Sequence, residues 1–399
     1  MRAPLTVWVT WLVLMAGSNL ATPLYAVYAQ RFHFSSLVLT AIFATYAFVL
    51  VPALIVFGRL SDRFGRRPVI LAGLTAAAAG LVLFAVADGT AWLFAARSLQ
   101  GLAVGMIGGA ATAALVELDP ANDRRRAALF AGLAQAGGSA LGPVAAGMLG
   151  QWAPDPLRLP YFVGLGATAL AAGATLTLPE PRVDEREPWR VQWPRVPAEI
   201  RGRFVLVSLT GGIVWAAVAL YLSIVPSYAA GLLRTHDLAL LAISAVALLA
   251  SCATQIVSQR REGSRGRDQA AGLLVLAAGM LGLVLASPLH SLALLVTGAI
   301  AAGAGHGLCY LDAQQELNEL APEERRGEVT SAFISVIYFL VASAVIGTGL
   351  LDLRFSLAVS VAAVSLVLLA AAGGAAIAQW RSSLNDGRVR SDVGASVRV

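Results

Sequence analysis

Apolar runs of about twenty residues recur along almost the whole chain and are separated by short polar segments. A hydrocarbon core of about 30 Å is crossed by about 20 helical residues, because each residue advances an α-helix by about 1.5 Å. Backbone groups in lipid must pair within their own segment, so the runs predict an all-α integral membrane fold. We place twelve transmembrane helices near residues 5–28, 37–57, 69–87, 91–114, 127–150, 161–178, 204–226, 236–258, 269–287, 291–313, 328–350 and 355–378.

Composition supports a membrane location and excludes several chemistries. Apolar residues make up 58% of the chain and charged residues 13%, against about 25% charged in ordinary soluble domains. All 29 basic residues are arginine, so the lysine of a P-loop, a Schiff base or a protein kinase is missing. Zinc-protease, nucleophile-elbow and metal-spacing motifs are also missing from the sequence. We predict neither an enzyme nor a cofactor or metal site.

The arginines lie in short clusters between apolar runs, a pattern typical of membrane topology and not of nucleic-acid binding. With the N-terminus in the cytoplasm, roughly 24 arginines fall on the inner side and only 4 on the outer side. This asymmetry predicts that both termini are cytoplasmic, in a bacterial inner (plasma) membrane. Residues 1–26 resemble a signal peptide, but similar runs continue to residue 378, so we interpret them as the first span.

The chain divides into two halves of six spans. The segment 179–203 has five prolines and is predicted to be a cytoplasmic linker. It separates an N-terminal six-helix bundle, 1–178, from a C-terminal six-helix bundle, 204–378. The last residues, 379–399, are rich in small and charged residues and are predicted to be a disordered cytoplasmic tail.

The two halves also share a sequence pattern. ELDPANDRRRAALFA at 117–131 aligns with ELAPEERRGEVTSAF at 319–333, and each lies between the fourth and fifth spans of its half. Parallel repeats of this kind imply two bundles related by an axis along the membrane normal, with a pathway between them. Cys252 and Cys309 lie inside apolar runs, so we expect no disulfide.

The segment GRLSDRFGRRP at 58–68 joins the second and third spans. It resembles the signature loop of the major facilitator superfamily (MFS), whose members are transporters with twelve helices in two bundles. Glycines permit a sharp turn here, and an acid suits a helix N-terminus. The arginines can bridge to acids at neighbouring helix ends, such as Glu117 and Asp119, although they also serve topology. The resemblance implies a conformational switch formed by Gly58, Asp62, Arg63, Gly65, Arg66 and Arg67.

RSLQGLAVG at 97–105 resembles the fourth-helix motif of the same superfamily. Arg97 is predicted to lie about 9 Å below the outer end of its helix, about six residues at 1.5 Å each. A charge at that depth needs a partner or a cavity, unless the side chain reaches the outer headgroups. In antiporters of the family the matching arginine is implicated in proton movement, which the resemblance implies for Arg97.

AQAGGSALGPVAAG at 134–147 resembles the fifth-helix motif of the antiporter branch. Small residues recur every four positions and form a ridge that another helix can approach closely. Pro143 frees a backbone carbonyl and can bend the helix. The resemblance implies export and assigns packing roles to Gly138, Gly142, Pro143 and Gly147. Packing without a link to export is the alternative.

Polar and aromatic residues at mid-depth are costly in lipid and are expected to face the interior. In the superfamily the first, fourth, seventh and tenth helices line the central cavity. The resemblance therefore assigns to the substrate pathway Asn19, Gln100, Trp215 and His306, with Tyr46, Gln135, Tyr310 and Tyr338 as second-rank candidates. His306 and Asp312 join Arg97 as candidates for proton coupling. Structural packing is the alternative role for each of them.

We therefore predict a secondary transporter of the MFS, in the drug/metabolite proton-antiporter-like branch. The expected activity is proton-coupled efflux of small amphipathic drug-like molecules or metabolites by alternating access. The expected partners are a small-molecule substrate, protons and the lipid bilayer, and the protein is expected to be a monomer. One alternative is proton-coupled uptake of a sugar or another small nutrient. Another is a membrane receptor or scaffold that kept the fold and lost transport.

Overall fold

The computed structural model describes residues 2–57, 60–121, 123–180, 193–233, 237, 243–259, 265–322 and 325–396. Its regular structure within these ranges is helical. The helices of the first half are α1 (Arg2–Asn19), α2 (Tyr25–Phe32), α3 (Ser36–Phe57), α4 (Leu60–Phe64), α5 (Arg66–Ala85), α6 (Thr90–Glu117), α7 (Arg124–Trp152) and α8 (Leu159–Thr175). Those of the second half are α9 (Arg201–Ser223), α10 (Val225–Leu233), α11 (Ser244–Ser258), α12 (Arg265–Ala286), α13 (Leu292–Leu320), α14 (Arg326–Asp352) and α15 (Leu357–Ser396).

Nine of the described helices are long and apolar enough to cross a membrane. The shorter apolar helices α8 and α11 add to them, and together with α1 they account for the twelve predicted spans. Two predicted spans end early next to a proline. The first span ends at Asn19 and resumes as α2 after Pro23, and the seventh ends at Ser223 just before Pro226. Proline cannot donate the helical hydrogen bond, so both helices break there.

The ends of the two halves are only partly described. The predicted linker is seen at its two edges, where a single 3₁₀ turn, Ala198–Ile200, leads into α9. The final helix continues past residue 379, where composition predicts disorder, and its backbone stays helical through Ser396. No proline follows residue 322 in the sequence, so every residue of the tail has the backbone N–H that a helical hydrogen bond needs.

Each half packs mainly on itself, and two helix pairs form most of the contact between the halves. Within the first half α1 packs on α7 and α5 packs on α6, and within the second half α12 packs on α13. Between the halves α3 packs on α14, and α7 packs on α11. Gly105 of α6 lies so close to α3 that a Cβ there would be 2.6 Å from the Ala53 Cβ. Small residues at such positions let neighbouring helices approach closely, so that other side chains on those helices can come into contact.

Candidate functional site

An aromatic cluster lies between α9 and α13 in the second half. The Trp215 ring on α9 is 4.6 Å from the His306 ring and 5.2 Å from the Tyr310 ring, centroid to centroid. His306 and Tyr310, one helical turn apart on α13, stack at 5.3 Å. His306 is fully buried. The structure therefore brings together three of the predicted pathway residues.

His306 is held by a polar pair on α11. Its Nδ1 lies 2.8 Å from the Ser251 Oγ, and the Gln255 Nε2 donates to the same Oγ at 3.1 Å. The His306 Nε2 and the Gln255 Oε1 are buried and have no hydrogen-bond partner among the described residues. Buried polar atoms are normally paired, so the His306 Nε2 is the ring nitrogen that is left for a further hydrogen bond. Sequence reasoning missed Ser251 and Gln255, whose spacing of four residues in an apolar run was the available signal.

Arg97 is a buried charge on α6 of the first half. Its side chain is 3% exposed, and it donates to the Ser18 carbonyl oxygen at 2.8 Å and to the Gln100 Oε1 at 2.9 Å. Gln100 in turn donates to the Gly17 carbonyl oxygen at 3.2 Å. Both carbonyls lie in the last turn of α1, where helical acceptors are left over. Arg97 therefore points inward, and the alternative that it reaches the outer headgroups is wrong.

Aromatic rings of α3 surround the Arg97 guanidinium. Its central carbon lies 4.6 Å from the Tyr46 ring centroid and 5.2 Å from that of Phe43, both within cation–π range. The Nε of Arg97 is buried without a hydrogen-bond partner in the described part of the chain, and no ion pair involving Arg97 occurs there. The positive charge is thus stabilised by carbonyl oxygens and rings, and the described residues supply no counter-charge.

Two tyrosines connect the two halves next to Arg97. The rings of Tyr46 on α3 and Tyr338 on α14 lie 6.0 Å apart across the interface. A second group of rings, Trp215, His306 and Tyr310, lies on α9 and α13. We call these two groups of rings the ring series. The three tyrosines in it are all residues that the sequence predicts for the pathway.

The other predicted pathway residues have different surroundings. Asn19 donates to the Met15 carbonyl oxygen at 2.8 Å and to the Ser139 Oγ at 3.2 Å, which ties α1 to α7. Gln135 is half-buried on α7, and Asp312 is half-buried on α13, beyond Tyr310. The described ring contacts do not include either residue.

The small residues of α7 let α1 approach closely, as the ridge predicts. A Cβ on Gly138 would be 2.7 Å from the Met15 Cβ, and one on Gly142 would be 3.1 Å from the Asn19 carbonyl carbon. Pro143 and Gly147 are buried in the same helix. The helix that fits against this ridge belongs to the same half. A neighbouring face of α7 meets the second half, where a Cβ on Gly137 would be 3.7 Å from the Cys252 Sγ.

Arg66 organises the loop before α5. Its guanidinium pairs with Asp62, donates to the Ser61 Oγ at 2.6 Å, and forms two bonds to Glu117, the shorter at 2.6 Å. The contact with Glu117 is the one predicted from the sequence. Arg63 is exposed and lies over the Phe64 ring at 5.5 Å. Gly58 lies outside the described residues.

The first residue of α5 is capped by the linker. The Glu180 carboxylate accepts from the backbone N–H of Arg66 at 2.5 Å and of Arg67 at 3.1 Å. Gly65, the residue before the helix, has φ +96°, a conformation that side chains other than glycine rarely adopt. A carboxylate at a helix N-terminus satisfies free donors and complements the dipole. Sequence reasoning missed Glu180 because it is 114 residues from Arg66.

The second half contains a buried ion pair that was also missed. Arg203 of α9 forms two bonds to Glu316 of α13, whose carboxylate also accepts from the Gln269 Nε2 at 2.9 Å. The Gln379 Nε2 donates to the Gln269 Oε1 at 2.5 Å and to the Thr210 Oγ1 at 3.0 Å. Four helices, α9, α12, α13 and α15, thus meet in one polar network.

The halves contact each other near both ends of their interface. At one end a Cβ on Gly349 of α14 would be 3.1 Å from the Thr40 Cβ of α3. At the other end Arg125 of α7 donates to the Gln259 carbonyl oxygen, just after α11, at 2.7 Å. The ring series lies between these ends. A buried polar centre between two helical bundles is the arrangement of a secondary transporter.

The sequence profile of the Major Facilitator Superfamily matches residues 7–346, and the chain belongs to this family. Its members are membrane transporters and not enzymes, which confirms the predicted family, the fold class and the prediction that the protein is not an enzyme. Two solved structures support the fold. The structure of the human organic anion transporter MFSD10 aligns with 94% of this chain and 99% of its own chain, at a TM-score of 0.71 and 17% sequence identity. A variant of the nucleoside transporter NupG aligns with 95% of this chain and 99% of its own chain, at a TM-score of 0.67 and 13% sequence identity.

Curated relatives match over shorter stretches. The class H tetracycline resistance protein of Pasteurella multocida is 34% identical over 28% of this chain and 27% of its own length. The class C tetracycline resistance protein of Escherichia coli is 37% identical over 28% of each chain. Multidrug resistance protein 1 of Bacillus subtilis is 30% identical over 43% of each chain. The chain thus spans less than half the length of these relatives.

Proposed function

We propose that this protein exports small amphipathic molecules from the cell in exchange for protons. The observation that carries the proposal is the ring series between Arg97 and His306, which lies at the interface of two helical halves in a family of transporters. The names of the relatives, tetracycline and multidrug resistance proteins, support export of drug-like compounds. Few hydrogen-bonding groups line the rings, which favours such compounds over sugars.

The cycle proposed here exposes the central rings to one side of the membrane at a time. Thr40 and Gly349 pack at one end of the interface, and Arg125 contacts the residue after α11 at the other. Release of one contact region while the other stays packed opens a path to one side only. The Arg66 cluster lies at the second end, where Asp62 and Glu117 hold α4, α5 and α6 together. This cluster is proposed to stabilise one of the two states.

Protons supply the proposed driving force. His306 carries the proton at Nε2, the ring nitrogen without a partner, while Ser251 fixes Nδ1. Arg97, one end of the ring series, repels that proton when the path closes, and Asp312 on α13 is proposed as the next acceptor. A membrane potential of 100 mV is worth about 2.3 kcal/mol per charge, which supports roughly a fifty-fold gradient.

The proposed orientation follows from the arginine asymmetry. The Arg66 cluster, the linker and both termini lie on the cytoplasmic side of a bacterial inner membrane, because most arginines collect there. Cysteine labelling at residues 63 and 195 from each side of spheroplasts tests this topology. Both positions should react only after the membrane is permeabilised.

A reconstituted assay tests the activity. The protein is placed in liposomes with tetracycline or the aromatic anionic dye fluorescein, and a proton gradient of either sign is imposed. We expect gradient-driven movement of the dye opposite to the proton, loss of that movement in His306→Gln, and unchanged movement in Arg267→Gln. Arg267 is a suitable control because it is exposed and contacts Trp380 away from the centre. Movement of cargo with the proton would indicate uptake, and no movement across a broad panel would indicate a receptor.

A further inference from the structure

The buried guanidinium of Arg97 has no counter-charge within the described ranges of the chain. Guanidinium is permanently charged, and here it is 3% exposed with a carbonyl and an amide oxygen as its hydrogen-bond acceptors. A buried charge without an opposite charge is costly, and neutral acceptors offset only part of that cost. The unpaired Nε adds a free donor at the same place. An anion beside Arg97 would supply both the missing charge and the missing acceptor.

Other shielded arginines in the described part of the chain have acids. Arg66 is paired with Asp62 and Glu117, and Arg203 is paired with Glu316. The absence of such an acid beside Arg97 is therefore specific to the centre of the molecule. An acid of the protein there would neutralise the site permanently, whereas a bound ligand neutralises it only while it is present.

The walls beside Arg97 are flat rings. Tyr46 and Phe43 face the guanidinium, and Tyr46 contacts Tyr338 across the interface. A second pair of rings, Trp215 and Tyr310, lies 5.2 Å apart on α9 and α13. Aromatic walls favour planar aromatic ligands through offset and edge contacts. The His306 Nε2 offers a polar contact at the far end.

We infer that the cargo of this transporter is a planar aromatic anion, bound with its acidic group at Arg97 and its ring system between Tyr46, Tyr338 and the Trp215–Tyr310 pair. This inference rests on the proposed function and names the substrate class for it. A cationic ligand is disfavoured because it would place two positive charges together without an acid. Neutral aromatic ligands gain the ring contacts and leave the guanidinium unpaired.

Binding of a matched dye series tests the inference without any gradient. Pyrene-1-carboxylate, pyrene-1-carboxamide and pyren-1-ylmethylammonium share one ring system and differ in charge. Each is titrated by fluorescence against the purified protein in nanodiscs, and the signal of empty nanodiscs is subtracted. We expect the carboxylate to bind at least about tenfold more tightly than the amide, and the ammonium to bind weakest.

Variants locate the preference. Arg97→Gln should remove the carboxylate preference while the carboxamide binds as before, and Arg97→Lys should restore part of it, since it keeps the charge without the planar fork. Arg267→Gln should keep the full preference. Equal binding of carboxylate and carboxamide by the natural protein, or an unchanged preference in Arg97→Gln, would overturn the inference. Preferential binding of the anion without gradient-driven export would instead contradict the proposed function and leave the inference standing.

Discussion

Arg97 in the first half and Arg203 in the second are both shielded from solvent by packed helices, yet their surroundings differ. Arg203 is bound twice by Glu316, and a chain of amides extends the network to α12 and α15. Arg97 has a backbone carbonyl, one amide and two rings. In the first arrangement the charge is paired, although the Gln379 Oε1 at the end of the amide chain has no partner among the described residues, whereas in the second a donor of the charged group itself is free.

The difference separates a stabilising role from a working one. A completed ion pair resists change, because removal of either partner leaves a buried charge behind. An incomplete site is less stable by itself and can respond to a proton or a ligand. We therefore expect substitutions at Glu316 to act on folding and substitutions at Arg97 to act on transport.

The largest expected effect is on stability at the completed pair. Glu316→Gln leaves Arg203 without a counter-charge, which we expect to lower the free energy of unfolding by about 3–5 kcal/mol. Thermal melting of the purified protein measures it. The double variant Arg203→Met with Glu316→Leu should recover most of the loss, because it removes both charges. A single variant as stable as the natural protein would show that the pair is not a stabilising element.

Arg97→Gln should have the next largest effect, on transport and not on folding. Glutamine can still donate to the Ser18 carbonyl, but the charge is gone, so we expect gradient-driven export to fall by about 100-fold, within the range of about 2–5 kcal/mol for loss of one partner of a buried charged contact. Export from liposomes and melting temperature are measured on the same sample. Normal export together with a lowered melting temperature would show that Arg97, like Arg203, mainly stabilises the fold.

Asp62→Asn tests whether a surface ion pair can control transport. The Asp62 side chain is 48% exposed, so its pair with Arg66 should contribute less than about 1 kcal/mol to stability. Export should nevertheless fall by up to about fivefold, because a shift of about 1 kcal/mol between two states changes their ratio by that factor. Flux in liposomes decides the point, with Asp155→Asn as the matched control, since it removes an exposed pair at Arg158. Equal fluxes in both variants would remove the switch role.

The smallest expected effect is at the linker. Glu180→Gln keeps an acceptor for the N–H groups of Arg66 and Arg67 but removes its charge from the start of α5, which should cost about 0.5 kcal/mol. Melting temperature in low and high salt measures the charge term, which should disappear in salt. A loss as large as that of Glu316→Gln would make the linker contact a main stabilising element.

Much of the architecture was predictable because it depends on local sequence. Span length follows from lipid thickness, and the division into halves follows from the prolines of the linker. The sequence predicted that Trp215, His306 and Tyr310 face the interior, because a polar or aromatic side chain in an apolar run is costly to expose to lipid. The contact of Arg66 with Glu117 was predicted from opposite charges at helix ends.

The missed residues share one property: their partners are distant in sequence. Ser251 meets His306 across 55 residues, and Arg203 meets Glu316 across 113. Serine and glutamine in an apolar helix satisfy local carbonyls as easily as a distant ring, so composition does not distinguish the two. The α7 ridge was found, but its partner helix was not, because small residues specify close approach and not the identity of the neighbour.

The sequence by itself determined that this chain crosses a membrane many times, that it is built from two related halves, and that it belongs among transporters. It did so because lipid imposes length and polarity on each segment separately. Only the tertiary structure decided which buried charges are complete and which are not, since pairing depends on how helices approach across the bundle. That distinction is why Arg203 is assigned to stability and Arg97 to cargo.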